Sequence, residues 1–537
     1  MLLEHRRAHT TAGDRDLDAG TRVVALRNPS RRPSHEDVVT QLHHPPTARI
    51  HIESRECSPQ VLERLTGATY FPERLLGPAI VGTVCRGGGH LLYVTAPQMI
   101  DADQQVDYYL GLLSGGSHQG GTDGPRGARD LVRIVTLDDA STRWLSTKVL
   151  DPVSARAASV RSDMREFVDT HLRAGADVRL SYFEPSRPLE LLARDLGVPG
   201  TQPSAAHIPL ATKHASRKIF TAAGVPVPQG TDVCHDPAAL ATAVATLARA
   251  GHRRIVLKLN STAYGGGFGN ALLELDDDIA SAPEERTEER VSRALPHASL
   301  VDRKITWDDY VTLMKDSGVI AEEMITDTPL LSPSFQGRLT DDSRVETIST
   351  HDQILGDSGQ SYTGCTFPAR SGYRQALIDC GRRVGEVLLE LGVDSGEYGV
   401  DFLAAPSGTG WRLLGCEINL RATAAKHPFT MATALLGAEP TPDGRLSVNG
   451  TEYVYQASDG IMDHRYKGLR PAQLIEAVTR SRIGYDPAHG TGVVLHLMSP
   501  VTMYGKFGAL CIGHNRAHAA DLMRELRTLV DGLVPGA

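Results

Sequence analysis

Lysine is scarce in this chain of 537 residues, since only nine of its 56 basic residues are lysine and the other 47 are arginine. A lysine that falls within a motif is therefore more informative here than in an average protein. The formal net charge is −8. This acidic balance argues against a nucleic-acid-binding protein that works by neutralising phosphates.

Long apolar runs, paired cysteines and clustered histidines are also missing. The longest apolar runs, such as Leu91–Ala96 and Ile255–Leu259, fall far short of the roughly 20 residues of a membrane-spanning helix. The seven cysteines are scattered without a CxxC pair, which argues against a disulfide framework or a zinc site. The first 20 residues carry charge where a signal peptide needs an apolar stretch. We therefore expect a cytoplasmic protein without a membrane or nucleic-acid partner.

The first part of the chain alternates strand-like and helix-like segments. Residues 1–45 are polar and predict a poorly ordered arm with one strand-like run, Thr21–Leu26. Beyond them, apolar runs predict buried strands and one face of apolar spacing predicts a helix. The strands are Ile80–Val84, Leu91–Ala96, Arg133–Leu137 and Val178–Tyr182, and the helix is Ser159–Ala174. This order predicts an open α/β layer.

A second unit begins near residue 201. Lys213–Ala223 has helical spacing and is followed by Gly224 and Pro226, which end helices well. Further predicted helices are Pro237–Ala250, Pro471–Ser481 and His518–Leu533. Predicted strands are Arg254–Leu259, Ala271–Leu275, Val319–Met324, Val345–Ser349, Gly399–Ala404, Trp411–Ile418, Gly492–Met498 and Ala509–Gly513.

A glycine-rich loop, Tyr264–Asn270, joins two of these strands and contains Gly265, Gly266, Gly267 and Gly269. Rossmann and Walker loops lead into a helix, so this loop is neither. A hairpin whose backbone N–H groups cover a triphosphate suits it, and an ordinary flexible hairpin is the alternative. Lys258, in the strand before the loop, would be costly to bury without an anion such as a phosphate.

A set of oxygen-bearing side chains lies on two later strands. Glu417 and Asn419 are two residues apart and so share one face of a strand. Asp401 occupies the matching place on the preceding strand, across a turn at Ala405–Gly410. Two carboxylates and an amide oxygen are ligands that suit Mg²⁺. The alternative is a solvated polar face, which the apolar neighbours on both strands disfavour.

Taken together, Lys213 at the start of a helix, Lys258 before a glycine-rich hairpin and the D…E-x-N pattern resemble the ATP-grasp superfamily over about residues 200–440. The resemblance implies ATP and Mg²⁺ as cofactors, with both lysines on the phosphates and Asp401, Glu417 and Asn419 on the metal. It implies adenine-side contacts from the hinge segment Glu322, Glu323, Met324 and Ile325. Many members carry an arginine at the position where Gly399 stands here, and Arg421 is the candidate for that missing positive charge. The predicted catalytic residues are therefore Arg421 and Lys258.

Other segments are similar to ATP-grasp peptide ligases of the pheganomycin-biosynthesis type. They are Leu196–Gly200, Ser349–Gly356, Tyr362–Ala369 and Gly492–Leu497. This similarity implies a ligase that joins a small amino-acid carboxylate to the amine of a peptide through an acyl phosphate in natural-product biosynthesis. Two alternative functions remain open: a small amino-acid or dipeptide ligase, and a nucleotide-binding protein without ligase activity. Assembly into a homodimer is also open.

The implied fold is α/β and α+β, with an N-terminal α/β (pre-ATP-grasp-like) domain, an ATP-grasp core and a small C-terminal α/β region. We predict an arm at 1–45, the N-terminal domain at 46–205, the ATP-grasp domain at 206–440 and the C-terminal region at 441–537. The core divides into a lid-bearing part (206–330) and a metal-bearing part (331–440). Candidate substrate residues are Asp352, Gln353, Ser332, Ser334 and His427, and the loops Ser332–Asp342 and Gly111–Gly127 would line a groove for the peptide.

Overall fold

A computed structural model describes residues 46–57, 62, 73–113, 127–262, 267–276, 279, 284–356, 359 and 361–534, with the backbone alone at 284 and 285. The predicted polar arm at 1–45, with its strand at Thr21–Leu26, lies outside the described residues. So does most of the glycine-rich tract at 111–127. No helix of the described part is long and apolar enough to cross a membrane.

The N-terminal region is built on a parallel sheet, as the alternating pattern predicts. Its strand order is β3-β2-β1-β4, and its strands are buried because helices cover them. The strands are β1 (Thr47–Ile52), β2 (His90–Thr95), β3 (Val132–Thr136) and β4 (Asp177–Tyr182). The helices are α1 (Leu76–Ala79), α2 (Ala102–Gly111), α3 (Leu145–Val149), α4 (Ala155–Arg173) and α5 (Arg187–Leu196). The carboxyl ends of these strands form one edge, where α/β proteins bind ligands.

One predicted strand of this region, Ile80–Val84, is wrong. The segment continues helix α1 as a π-helix over Ile80–Arg86. Ile80, Val81 and Val84 are all buried. A short apolar run fits a buried helix as well as a buried strand, so its periodicity could not separate the two.

The lid-bearing region carries an antiparallel sheet of order β7-β6-β5-β8. Its strands are β5 (Arg254–Leu259), β6 (Asn270–Glu274), β7 (Ser299–Leu300) and β8 (Val319–Glu323). The helices here are α6 (Lys213–Ala222), α7 (Pro237–Arg249), α8 (Glu284–Ala294) and α9 (Trp307–Ser317). The Asp236 side chain caps α7 and Pro237 follows it, which is a strong start signal because proline lacks the N–H that would be unpaired there.

A nine-stranded sheet dominates the rest of the chain. Its order is β13-β12-β9-β10-β11-β15-β17-β16, with β14 paired to β15. The strands are β9 (Pro333–Leu339), β10 (Val345–Leu355), β11 (Tyr362–Phe367), β12 (Gly396–Ser407), β13 (Gly410–Asn419), β14 (Leu446–Val448), β15 (Thr451–Met462), β16 (Gly492–His496) and β17 (Lys506–Gly513). The helices are α10 (Ser371–Glu390), α11 (Lys426–Leu436), α12 (Pro471–Arg480), α13 (Pro500–Tyr504) and α14 (Arg516–Asp531). Strands beyond residue 440 thus extend the sheet that carries β12 and β13, and the division of the chain into domains stays a prediction.

The segment Ser332–Asp342, predicted as a polar loop, is instead mainly strand β9, between β12 and β10 in the sheet. The prediction was wrong because the segment is polar without being exposed. Ser334 and Gln336 are buried, and Gln336 donates a hydrogen bond to Ser334 at 3.3 Å. Buried polar side chains that satisfy one another are tolerated in a core, so polarity alone does not mark a loop.

Candidate active site

Helix α6 connects the two antiparallel sheets. Lys213 and Arg217 lie four residues apart and therefore on the same face of the helix. The Lys213 ammonium is 2.6 Å from the Glu417 carboxylate of β13. Arg217 Nη1 is 2.7 Å from the Glu322 carboxylate of β8. The sequence analysis did not single out Arg217, and its spacing from Lys213 was the signal that could have done so.

Lys258 lies in the buried strand β5, as predicted, and its ammonium is 2.6 Å from Glu322 Oε2. The two residues are diagonal neighbours on one face, because Glu322 stands opposite Val256 and Lys258 opposite Ile320. Burial opposes ionisation of Glu322, but Lys258 and Arg217 outweigh it and hold the pKa of this carboxyl below its ordinary value. Two cations therefore share one carboxylate here.

Asp401, Glu417 and Asn419 come together on β12 and β13, as the sequence predicts. Asp401 stands directly opposite Glu417 in the register. Asn419 Nδ2 donates to Asp401 Oδ2 at 3.3 Å. The turn between the strands is shorter than predicted, since β12 runs to Ser407 and β13 starts at Gly410.

This carboxylate pair has a charge imbalance that fits a cation. Burial and the neighbouring Glu417 raise the pKa of Asp401 to about 7. Burial also opposes ionisation of Glu417, but Lys213 keeps the pKa of that carboxyl below its ordinary value. Two partly buried carboxylates with one close ammonium, beside an amide oxygen, suit a hard divalent cation such as Mg²⁺.

The sequence and the fold were compared with known proteins in three ways. The profile of a family described as "PGM1 C-terminal domain" matches residues 473–526. The chain is 28% identical over 513 residues to the L-propargylglycine--L-glutamate ligase of Streptantibioticus cattleyicolor, covering 92% of this chain and 96% of that protein. The structure is also similar to a biotin carboxylase–beta-gamma-ATP complex from Campylobacter jejuni. That match has a TM-score of 0.50 and 13% identity, and covers 89% of this chain and 90% of the other.

The chain has an ATP-grasp fold. Its ATP-grasp sheets leave the site between β5–β8 on one side and β12–β13 on the other, with α6 bonded to both.

The glycine-rich hairpin of this ATP-grasp protein lies where the sequence predicts, between β5 and β6. Gly265 and Gly266 are outside the described residues. Gly267 has φ +82°, a backbone conformation that glycine adopts without strain. The carbonyl of Gly269 accepts from Leu259 N at 3.0 Å and from the Tyr310 hydroxyl at 3.2 Å. The base of the hairpin is thus anchored, and its closing motion stays a prediction.

The hinge segment follows directly from β8. Glu322 faces Lys258, whereas Glu323 accepts from Gln229 N at 2.8 Å. Met324 N donates to Arg254 O at 2.8 Å, and Ile325 is buried against residues of the β12–β13 hairpin. The segment therefore connects the two sheets, and its nucleotide contacts stay predicted.

Only some candidate substrate residues lie at this site. Gln353 Nε2 donates to Asp401 Oδ1 at 2.7 Å, and the Ser332 hydroxyl donates to Gln353 Oε1 at 3.1 Å. Ser334 stands opposite Asp401 in the β9–β12 register. Asp352, by contrast, accepts from the Tyr373 hydroxyl at 2.6 Å and from Arg516 at 2.8 Å. Adjacent residues of a strand face opposite ways, so Gln353 faces the site and Asp352 does not.

His427 lies in a separate buried cluster. Its Nε2 is 2.7 Å from Asp459 Oδ1, and His496 Nε2 is 2.8 Å from the same oxygen. The two Nε2 atoms are 3.2 Å apart, so these three atoms are close enough for one metal ion. Arg74 Nε lies 3.1 Å from the other carboxylate oxygen. Two neutral imidazoles that donate N–H to one carboxylate explain the same distances. Burial lowers the pKa of His427 to about 4, which favours the neutral ring.

Arg421 follows β13 at the edge of the site, and its Nη1 donates to Ala422 O at 3.0 Å. An arginine in place of Gly399 would require Thr423 to move, because a Cβ there would lie 2.4 Å from Thr423 Cγ2. Arg421 packs over the ring of Phe183 together with two further arginines, Arg55 and Arg74. No sequence motif marked Arg55, Arg74 or Phe183, because they come from three separate loops.

Proposed function

We propose that this ligase activates the carboxylate of a small, non-proteinogenic amino acid as an acyl phosphate and joins it to the amine of a second amino acid or a peptide. The observation that carries this proposal is the convergence of Lys213, Lys258 and the carboxylates Asp401 and Glu417 around one helix and two sheets. A carboxylate is a poor electrophile, and a phosphate leaving group makes amide formation feasible.

Each side chain of the site has a distinct part in this proposal. Lys213 and Lys258 hold phosphate oxygens, and Asp401, Glu417 and Asn419 hold Mg²⁺. When bound, ATP and Mg²⁺ supply the phosphoryl group and neutralise its charge. Arg421 stabilises the negative charge that develops on the reacting carboxyl group. The hairpin over Gly265–Asn270 excludes water that would otherwise hydrolyse the acyl phosphate.

The relative from Streptantibioticus cattleyicolor supports the choice of substrates. Its printed name gives an unusual amino acid as one substrate and a proteinogenic amino acid as the other. By likeness we propose that a small amino acid such as L-propargylglycine is the acid substrate here. For the amine, a free amino acid and a peptide N-terminus are both compatible with ligation. A cytoplasmic location and a role in natural-product biosynthesis belong to the same proposal.

Hydroxylamine trapping tests the acyl phosphate. The enzyme is incubated with ATP, Mg²⁺ and a panel of small amino acids that includes L-propargylglycine, with hydroxylamine as the only amine. We expect a hydroxamate together with one ADP and one phosphate per product, in the absence of any amino-acid or peptide acceptor. Release of AMP and pyrophosphate, or no hydroxamate from any acid, would contradict the proposal.

A further inference from the structure

Three guanidinium groups surround one phenyl ring beside the catalytic site. Arg55, Arg74 and Arg421 place their guanidinium carbons 5.4, 5.1 and 5.8 Å from the centre of the Phe183 ring. Arg55 follows β1 and Phe183 follows β4, so both lie at the carboxyl edge of the parallel sheet. Arg421 reaches the same ring from the end of β13, two residues beyond Asn419.

Three of the described carboxylates lie near these cations, namely Glu53, Glu184 and Asp459, and Lys506 is a fourth positive group close by. Glu184 lies 3.4 Å from Arg55 and 3.6 Å from Arg421, so two arginines share it. Asp459 lies 3.1 Å from Arg74 and is itself shared with two imidazoles. Among the described residues, the buried Nε of Arg55 has no hydrogen-bond partner. Buried donors are normally paired, so Arg55 Nε could donate to a further acceptor.

The electrostatics of neighbouring groups agree with a surplus of positive charge. Burial lowers the pKa of Lys506 to about 8, with Asp459 opposing this fall and Arg74 and Arg55 adding to it. An anion bound among these groups would relieve the repulsion between them.

The three guanidinium side chains are not completely buried. The side chains of Arg55, Arg74 and Arg421 are 15%, 12% and 21% exposed. Arg74 is held in place because Asp459, its partner, also accepts from His427 and His496. Planar guanidinium groups fixed in this way suit a carboxylate, which they can bind through paired hydrogen bonds.

We propose that Arg55 and Arg74, beside Arg421, bind the α-carboxylate of the amine substrate, and that this substrate is therefore a free amino acid rather than a peptide. In a free amino acid the carboxylate is attached to the carbon that bears the amine. In a peptide the corresponding group is an amide, and the free carboxylate lies at the far end. Only the free amino acid places negative charge among the arginines while its amine reaches the acyl phosphate.

The reaction balances with this substrate. The amine nitrogen attacks the carbonyl carbon of the acyl phosphate, a C–N bond forms, and the C–O bond to phosphate breaks. Phosphate leaves with the electron pair of that bond, and the nitrogen gives up a proton. This inference rests on the proposed ligase function, and hydroxylamine, an amine without a carboxylate, tests the two separately. Failure to form any hydroxamate would refute the function itself.

The first experiment uses the unaltered enzyme. With an acid that forms a hydroxamate, the twenty common L-amino acids are compared as acceptors by ADP release and by the mass of the amide product. The best one is then compared with its α-carboxamide and with a tetrapeptide that begins with the same residue. We expect kcat/KM to fall at least about tenfold for both derivatives, as expected when a charge-assisted hydrogen bond is lost. A smaller fall, or use of peptides alone, would overturn the inference.

The second experiment removes the guanidinium groups one at a time, as Arg55→Gln and Arg74→Gln. We expect kcat/KM for the amino acid to fall at least about tenfold more than kcat/KM for hydroxylamine. Equal losses with both amines, or a raised KM for the acid in the hydroxamate assay, would overturn the assignment. Arg133→Gln is the matched control, since this arginine pairs with Asp163 on the same domain at 2.7 Å and is 47% exposed. Arg74→Lys, which keeps a cation for Asp459, replaces Arg74→Gln should that variant not fold.

Discussion

Two lysine–glutamate pairs of equal length, one within the sheet β5–β8 and one between helix α6 and strand β13, have opposite surroundings. Lys258 and Glu322 are 2.6 Å apart, and the next charge is the cation Arg217. Lys213 and Glu417 are also 2.6 Å apart, but Asp401 stands opposite Glu417. The first cluster therefore has two close cations for one carboxylate, and the second has two carboxyl groups for one close ammonium.

This difference shows that the role of an ion pair depends on the third charge and not on its distance. A surplus cation suits a phosphate, and a surplus carboxylate suits a divalent metal, so the two clusters together complement a metal–nucleotide complex. Glu322 is already fully engaged by two cations. In the proposed function, Glu417 exchanges its ammonium partner for a metal. Stability should therefore depend most on Glu322, and turnover most on Glu417.

The largest effect should follow from Glu322→Gln, which leaves Lys258 and Arg217 buried without their carboxylate. Breaking a buried pair by removing one partner costs about 3–5 kcal/mol. Calorimetry should show a clear fall in the unfolding midpoint. Glu346→Gln, at a carboxylate that is 41% exposed, is the control and should change the midpoint little. Equal unfolding midpoints for the two variants would refute this interpretation of the cluster formed by Glu322, Lys258 and Arg217.

Glu417→Gln should separate turnover from stability. The variant loses a metal-binding charge, and we expect kcat for ADP release to fall about 100-fold or more, equivalent to about 2.7 kcal/mol. Its unfolding midpoint should stay close to that of the unaltered enzyme, because the lost pair with Lys213 is offset by relief of repulsion from Asp401. Near-normal ADP production would show that Glu417 is not a metal ligand.

A third carboxyl group, Glu73, has no hydrogen-bonded cation among the described residues. Its effect on stability should therefore depend on pH. Burial raises its pKa to about 8, despite hydrogen bonds from Ser499. The folded state therefore binds this proton more tightly than the unfolded state. The stabilisation that this gives is complete below the ordinary pKa of 4.5 and is lost as the pH rises through about 8.

Glu73→Gln removes this titration. Between pH 5 and 9 the unaltered enzyme should lose stability relative to the variant, by on the order of 2 kcal/mol, because relaxation around the ionised group offsets part of the shift. Unfolding midpoints of both proteins across this pH range test the prediction. A constant difference between them would show that Glu73 does not titrate in this window.

The smallest effect should come from an ion pair at the surface. Arg412 and Asp327 are 3.4 Å apart, and their side chains are 46% and 39% exposed. Exposed pairs contribute little because water screens them. Arg412→Gln should change the free energy of unfolding by less than about 0.5 kcal/mol. A larger loss in the unfolding midpoint would mean that distance alone governs these pairs.

Much of the core could be read from sequence because its signals are local. Lys258 sits in an apolar strand, a glycine-rich hairpin follows, and Glu417 and Asn419 share a face through the two-residue period of a strand. Helix α6 starts at Lys213 after the Thr212 cap and ends before Gly224. These features depend on residues within a few positions of one another, so the structure reproduces them.

The predictions that failed concern segments whose local sequence is ambiguous or whose structure depends on residues far away in the chain. Ile80–Val84 is apolar enough for a strand but packs as a helix. Pro333–Leu339 is polar enough for a loop, but lies between two strands that satisfy its polar groups. In both cases the surroundings outweighed the local preference, and those surroundings come from remote parts of the chain.

The sequence by itself determined the pattern that predicts nucleotide binding: two rare lysines, a glycine-rich hairpin and three oxygen-bearing side chains at strand spacing. Only the tertiary structure decided which of these residues form ion pairs with one another and which arginines lie beside them. Arg55, Arg74 and Arg421 are spread over more than 360 residues of sequence, yet they converge on Phe183. Local periodicity cannot encode that convergence, because it arises when the edge of one sheet meets the end of another.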